Sequence, residues 1–443
     1  MSTKRPNMIF VVADDLGYAD LGCYGGRPAP FGAVSPNLDA LASAGLMLTQ
    51  GYANSPVCSP TRFALMTGRY QYHLRGAAEE PINSKSKGSA VLGLPPEHPT
   101  LPSLLKAAGY HTALIGKWHL GYPPAFSPIK SGYDEFFGPM SGGVDYFTHC
   151  SNNGTHDLYL NEAEHHEEGY LTDLLSRKAV DYVQRMSTPE QRDQPFFLSL
   201  HYTAPHWPWE TRDDAHVAQE VKDHLFHLHG GNIDTYRRMI HHMDEGLGEL
   251  VQALRQSGQL ENTLIVFTSD NGGERFSDNW PLVGGKMDLT EGGIRVPWIA
   301  HWPNVIAPGS VSDQHCLTMD WTATLLDLGM ATPDPNYPLE GLSLKALLEN
   351  PLHTFERPMF WRMNHRGQRA MRLGPWKYLR VDGHDYLFNI EADARERANL
   401  GSRHPERLQA MRDAWETWDA GMPAIASDAT VSLGYSAKDM PQR

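Results

Sequence analysis

Two uninterrupted apolar runs stand out against an otherwise mixed chain. Met8-Ile9-Phe10-Val11-Val12-Ala13 ends in Asp14-Asp15, and Thr263-Leu264-Ile265-Val266-Phe267-Thr268-Ser269 ends in Asp270-Asn271. Runs of this length without polar alternation fit strands covered on both faces, as in a parallel sheet. Further strands are expected at residues 110–115, 195–202 and 295–303. Between them the apolar positions step by three and four. Leu171, Leu174, Leu175, Ala179, Tyr182, Val183 and Met186 mark one amphipathic helix. Tyr236, Met239, Ile240, Met243, Leu247, Leu250, Val251 and Leu254 mark a second, stopped by Gly258. Ser35 and Thr100 read as caps of two short helices, each with proline in the first turn. Strands alternating with helices predict a doubly wound α/β sheet.

From about residue 351 the pattern changes. Met359-Phe360-Trp361-Arg362, Arg369-Ala370-Met371-Arg372, Trp376-Lys377-Tyr378-Leu379-Arg380 and Tyr386-Leu387-Phe388 are short strands separated by glycines, and Leu408, Met411, Trp415 and Trp418 stripe a closing helix. The expected organisation is therefore a large α/β domain over 1–350 and a smaller C-terminal subdomain over 351–443 with an antiparallel sheet. With 443 residues, the chain is too long for one small core.

Composition narrows the partners. The formal net charge of −14 disfavours an extended nucleic-acid or anionic-membrane surface, so an anionic substrate would need a local basic pocket. No apolar run approaches the ~20 residues of a membrane span. The first residues run straight into a strand without a secretory signal, so the chain as written is expected to be cytoplasmic, or periplasmic or secreted if a signal was removed. Cys23, Cys58, Cys150 and Cys316 lie far apart and indicate neither a zinc site nor a disulfide framework.

The chemistry gathers at strand ends. Adjacent carboxylates such as Asp14 and Asp15 repel unless a cation compensates them. In an open α/β sheet the carboxyl ends of the strands meet at one crevice. Asp14, Asp15, Asp270 and the amide oxygen of Asn271 would form an all-oxygen shell there, suited to Ca2+ or Mg2+. Lys117 and His119, two apart just beyond the strand at 110–115, point the same way. His206 follows another strand, whereas His201 inside that strand is expected to pack in the core. Lys286, preceded by Gly284-Gly285, sits on backbone free to approach a ligand. Cys58-Ser59-Pro60-Thr61-Arg62 reads as a loop entering a helix. That places Cys58 at a helix N-terminus, where the dipole favours an anionic oxygen or thiolate, and Arg62 one turn later. His224 and His227 approach metal spacing but lack carboxylates in register.

Cys58-x-Pro60-x-Arg62 followed by Ala64-Leu65-Met66-Thr67-Gly68-Arg69 resembles the signature of the type I, formylglycine-dependent sulfatases of the alkaline phosphatase-like superfamily. Gly116-Lys117-Trp118-His119-Leu120-Gly121 resembles their second signature. Gly132-Tyr133-Asp134-Glu135-Phe136-Phe137-Gly138 is similar to their connecting segment, and the resemblance runs from residue 7 to about 420. It implies a large, mixed, mostly parallel sheet sandwiched by helices, with a smaller C-terminal α+β subdomain. It also implies that a separate maturation enzyme oxidises Cys58 to formylglycine (3-oxoalanine), whose hydrated form attacks sulfur. Calcium, with Mg2+ as the alternative, would bind Asp14, Asp15, Asp270, Asn271 and the modified Cys58. Arg62 would steady the attacking oxygen, Lys117, Lys286 and His206 the sulfuryl oxygens, and His119 would take a proton.

The implied activity is that of an arylsulfatase-like sulfuric ester hydrolase acting on an aryl sulfate or sulfated sugar. The alternatives are a phosphonate monoester or phosphodiester hydrolase, and a non-catalytic sulfate-ester-binding protein with unmodified Cys58. Some relatives place a further polar pocket residue where Ser141 or Asp145 stands, and the local match does not choose between them. Residues 77–94 are expected as a polar surface loop at the pocket mouth. Trp207 and Trp209 would either stack on a ring of the substrate or pack in the core.

Overall fold

The computed structural model describes residues 5–151, 153–221 and 230–431; His224 and His227 lie outside these. Among the described residues ten strands form one sheet. At its centre Asn7–Ala13 lies between Phe196–His201 and Thr263–Ser269 and runs parallel to both, with Val12 opposite His201 and Ala13 opposite Ser269. His111–Gly116 and Glu135–Gly138 continue the parallel arrangement on one side, ending in the antiparallel pair Tyr159–Leu160 and Ala163–Glu164. On the other side Trp298–His301 is antiparallel to both Thr263–Ser269 and Leu46–Leu48, and Ser310–Ser312 forms the edge.

Every residue of the two central runs is buried, because both faces of the sheet are covered. Ile9, Val11 and Ala13 pack toward the core that includes Leu174, Tyr182, Met243 and Leu247 of helices Leu171–Arg185 and Ile233–Gln256. Met8, Phe10 and Val12 pack the opposite way, with Phe63, Leu65, Trp321 and Leu325 of helices Cys58–Thr67 and Thr318–Leu328. The period of two along a strand thus feeds two cores.

Ser35 precedes the helix Pro36–Ser43 but does not cap it; its hydroxyl serves Gly22 N and Asp39 instead. The open N–H groups of Asn37 and Leu38 donate to the Asp244 carboxylate of the long helix, at 3.0 and 2.7 Å. A carboxylate makes the stronger, charge-assisted cap, and this one also ties two elements together. Thr100 caps Leu101–Ala107 as expected, in a reciprocal pair with Ser103.

In the C-terminal region Met359–Met363, Gln368–Leu373, Trp376–Val381 and His384–Asn389 form an antiparallel sheet in chain order. The helix Pro405–Asp419 closes it with Met411 and Trp415. Trp361, Tyr378 and Leu387 of this sheet share a core with Tyr52, Leu289 and Leu317, and the Trp361 indole donates to Ala53 O at 2.9 Å.

Candidate active site

The carboxyl ends of the central strands and the N-terminus of helix Cys58–Thr67 meet in one buried cluster. No side chain caps that helix at Val57. The loop before it is fixed by Thr61, whose hydroxyl accepts from Ser55 N and donates to Ser55 O, both at 3.0 Å. Cys58 Sγ stands 4.0 Å from Asp15 Oδ1. One ligand atom each from Asp14, Asp15, Cys58 and Asp270 lies within 4.8 Å of all the others, and none of the four residues is more than 2% exposed. His206 joins Asp14 and Cys58 within the same distance.

Cations enter this cluster from three directions. Arg62 donates to Asp270 Oδ2 through Nε (3.0 Å) and Nη2 (2.8 Å), and through Nη1 to Lys117 O (3.1 Å). Lys117 Nζ donates to Asp14 Oδ2. Lys286 Nζ donates to Asp15 Oδ2 (2.7 Å) and reaches Glu274 Oε2 (3.3 Å). Asn271 donates its amide to Asp15 Oδ1 at 2.7 Å.

That leaves Asp14 Oδ1 and Asn271 Oδ1 buried without a hydrogen-bond partner. Orphaned oxygens of this kind are costly unless something positive completes them. Both belong to the oxygen shell expected for a divalent cation, so the residues present fit such an ion. Charge crowding points the same way. Burial, with Asp14 beside it, raises the Asp270 carboxyl to about 6 against the pull of Arg62. Burial likewise raises Glu274 to about 7. Asp15 is also buried, but Lys286, His206 and Lys117 hold its carboxyl well below the usual range. Burial pushes the Cys58 thiol well above its ordinary value despite Lys117 and Lys286.

The histidines differ in what they offer. His119 Nε2 is 2.7 Å from Ile82 O; a carbonyl only accepts, so Nε2 carries the hydrogen and the buried, unpartnered Nδ1 keeps a lone pair. His206 places Nδ1 on Trp207 O (2.7 Å) and Nε2 at 3.6 Å from Asp15 Oδ2. Burial and Lys286 lower its value to about 3, with Asp15 opposing them.

The family model described as Sulfatase matches residues 6–330 of this sequence. The chain belongs to the sulfatase family. It is therefore a sulfuric ester hydrolase, with a buried acidic group around Cys58 as its candidate metal site. Mouse arylsulfatase J is 30% identical, over 91% of this chain and 74% of its own. Human N-acetylgalactosamine-6-sulfatase is 32% identical, over 83% of this chain and 70% of its own. Among solved structures, Ps i-CgsB in complex with k-i-k-neocarrahexaose aligns at a TM-score of 0.84 and 32% identity, covering 97% of this chain and 95% of that one.

Several residues of this sulfatase lie differently from expectation. His201 is buried as foreseen, yet its Nδ1 stands 3.2 Å from Arg62 Nη1 and 3.3 Å from Lys117 O, so it sits against the guanidinium instead of filling an apolar core. Glu274 was not singled out in the sequence, although it follows Asn271-Gly272-Gly273 directly and faces Lys286. Residues 77–94 are not wholly a surface loop: Ile82 is 2% exposed, donates its N–H to Ser59 Oγ (2.9 Å) and holds His119 through its carbonyl.

Neither Ser141 nor Asp145 hydrogen-bonds a residue of the cluster. Ser141 bonds Asp157, and Asp145 Oδ1 takes the N–H groups of Phe147 and Thr148. Their loop reaches the site through glycine instead. A Cβ on Gly142 would stand 2.3 Å from the His119 ring, and one on Gly143 3.0 Å from Trp207. Trp207 lies half-buried against His206 with ring centroids 4.2 Å apart, whereas Trp209 is buried against Phe276.

Proposed function

We propose that this sulfatase hydrolyses a sulfate monoester, most favourably of a sugar, using formylglycine made from Cys58 by a separate maturation enzyme and a divalent cation, Ca2+ or Mg2+. The observation that carries the proposal is the placing of Cys58 Sγ among three carboxylates, in a cluster with two orphaned oxygens. The sugar preference rests on the relatives, one named for an N-acetylgalactosamine 6-sulfate ester and one holding a neocarrahexaose.

Asp14, Asp15, Asp270 and Asn271 would hold the cation, which when bound supplies Lewis-acid charge beside residue 58. The modified side chain supplies the attacking oxygen as a hydrated aldehyde. Arg62, fixed by Asp270 and the Lys117 carbonyl and backed by His201, keeps a permanent positive charge next to that oxygen. Lys117 and Lys286 neutralise the sulfuryl oxygens. A nearby lysine ammonium, Lys286 or Lys117, delivers a proton to the departing ester oxygen, since neutral His206 spends its one hydrogen on Trp207 O, and His119 accepts a proton at Nδ1 from the hydroxyl of residue 58. The sum consumes one water and yields the alcohol and hydrogen sulfate. Four carboxylates, with Glu274 ionised, face three permanent cations, so a divalent ion and one sulfate monoester bring the formal charge to zero.

Mass spectrometry of the peptide containing residue 58 from active enzyme made in its native cell tests the nucleophile. The aldehyde form, lighter than cysteine, is expected; intact thiol alone would overturn the reading. Turnover of sulfated monosaccharides, an aryl sulfate and an aryl phosphonate under the same conditions tests the ester class, with the phosphonate expected to be the poorest.

A further inference from the structure

The turn that carries Lys286 is held from three sides. Lys286 N donates to Gly273 O (3.1 Å), joining the turn to the segment after Asp270, and Met287 N donates to Pro56 O (3.0 Å), joining it to the loop before Cys58. The third hold comes from the C-terminal sheet. Gln368, at the start of strand Gln368–Leu373 and 2% exposed, accepts from Leu289 N at 2.9 Å and donates to Met287 O at 2.8 Å. Its other amide hydrogen goes to His365 O at 3.1 Å. With the oxygen and both hydrogens engaged, the amide has a single orientation.

Met287 itself adopts φ 77°, the left-handed region that a Cβ-bearing residue avoids. Such a backbone persists only where its surroundings over-determine it. Four residues further on, Glu291 N donates to Glu396 Oε2 at 2.7 Å, and Lys377 Nζ meets Glu291 Oε1 at 2.9 Å. The segment is thus gripped at 287, 289 and 291 by groups from the C-terminal region.

We infer that Gln368 is a positioning residue for Lys286. By bracketing Met287 it keeps the turn in the one conformation that aims the ammonium group at Asp15 and the sulfate beside it, so the C-terminal sheet sets part of the charge geometry of the catalytic pocket. The inference rests on Lys286 being a sulfate ligand, as proposed above. A flexible lysine stem loses electrostatic contact when its backbone moves by about 1 Å, and misplacement on that scale is expensive in catalysis.

Gln368→Glu tests this with a switch that leaves the side chain the same size. An ionised carboxylate still accepts from Leu289 N but repels the carbonyls of Met287 and His365; a protonated one regains a donor. Relative to wild type at each pH, kcat/KM is expected to fall roughly 10-fold at alkaline pH and to recover toward acid, with competitive inhibition by inorganic sulfate weakening and recovering in parallel. His365 and Asp288 titrate nearby, which is why each comparison is made against wild type at the same pH.

Arg369→Ala, next in the strand, controls for general disturbance of the sheet and should leave activity unchanged, and thermal unfolding confirms that each variant is folded. In a double-mutant cycle, Gln368→Glu should add nothing to the residual turnover of Lys286→Ala. Wild-type behaviour of Gln368→Glu across the pH range, or the same loss with and without Lys286, overturns the positioning role alone. Should Lys286→Ala keep full kcat/KM, the sulfate-ligand reading falls, and the inference with it.

Discussion

Two clusters of buried charge in this sulfatase are joined by the short segment from Lys286 to Glu291, and they are finished in different ways. At the strand ends, Asp14, Asp15, Asp270 and Glu274 face Arg62, Lys117 and Lys286, and one oxygen each of Asp14, Asn271 and Glu274 still lacks a partner. Beneath the C-terminal sheet, Lys377 bridges Glu291 and Glu396 at 2.9 Å each, while Tyr52 donates to Glu291 Oε2 at 2.6 Å and Arg295 and Arg372 stand 3.7 Å from that oxygen. Burying charge is costly wherever it happens. The second cluster sets every carboxylate against the chain's own cations, although Arg372 Nη1 and Glu396 Oε1 make no hydrogen bond, the latter standing 2.9 Å from Lys377 Nζ. The first stays short of a partner, which is the form expected of a place completed by something that arrives from outside.

The largest effects should come from the unfinished cluster. A chelator is expected to reduce turnover roughly 1,000-fold or more and to lower the melting temperature, because an ion that binds only the folded state stabilises it; added Ca2+ should reverse both. Asp270→Ala should lose metal, measured as bound ion per chain, together with activity. It should also cost about 3–5 kcal/mol, since it leaves the Arg62 guanidinium buried without its carboxylate. Full activity of Asp270→Ala in chelator would show that the ligand assignment is wrong.

Lys377→Met sharpens the contrast from the other side. Removing the bridging ammonium strands Glu291 and Glu396, and a loss of about 3–5 kcal/mol in unfolding free energy is expected. The folded fraction should nevertheless bind the same amount of metal as wild type, because no oxygen of the first cluster is touched. Selective metal loss without thermal destabilisation would erase the distinction between the two clusters.

How much of this was legible in the sequence follows from where each residue sits. Asp14, Asp15, Asp270 and Asn271 end apolar runs, and parallel strands deliver their carboxyl ends to one side, so their meeting follows from pattern and topology alone. Arg62 follows Cys58 by one helical turn for an equally local reason. His201 was placed in the right strand but given the wrong company, because a period of two assigns a face without telling how near the crevice a side chain emerges. Ile82 and Gly142 depend on loops whose paths are set by distant hydrogen bonds, such as Ile82 N to Ser59 Oγ. The cap at Asn37 and Leu38 comes from Asp244, 207 and 206 positions away. The second cluster was invisible for the same reason: Lys377 and Glu291 are 86 residues apart, and neither carries a local signature.

The smallest expected effect concerns a third buried acidic group, completed neither by a metal nor by a lysine. Glu210 is 1% exposed and lies beside Asp145, beneath the loop that presses Gly142 and Gly143 onto His119 and Trp207. Tyr146 N approaches Glu210 Oε2 at 3.4 Å, and the Tyr146 hydroxyl donates to His206 O at 2.9 Å, which links this group to the active site. Burial first, then the Asp145 carboxylate, raises Glu210 to about 9, so the folded protein keeps a proton there that the unfolded chain gives up near its ordinary value of 4.5. A proton held only in the folded state stabilises it fully below the unfolded value, and that contribution fades as pH climbs from about 4.5 toward about 9. Glu210→Gln keeps a donor and an acceptor without the charge. The variant should therefore melt close to wild type at acid pH and gain on it steadily as pH rises; an offset that stays constant across that window would mean that Glu210 does not keep a proton in the folded state.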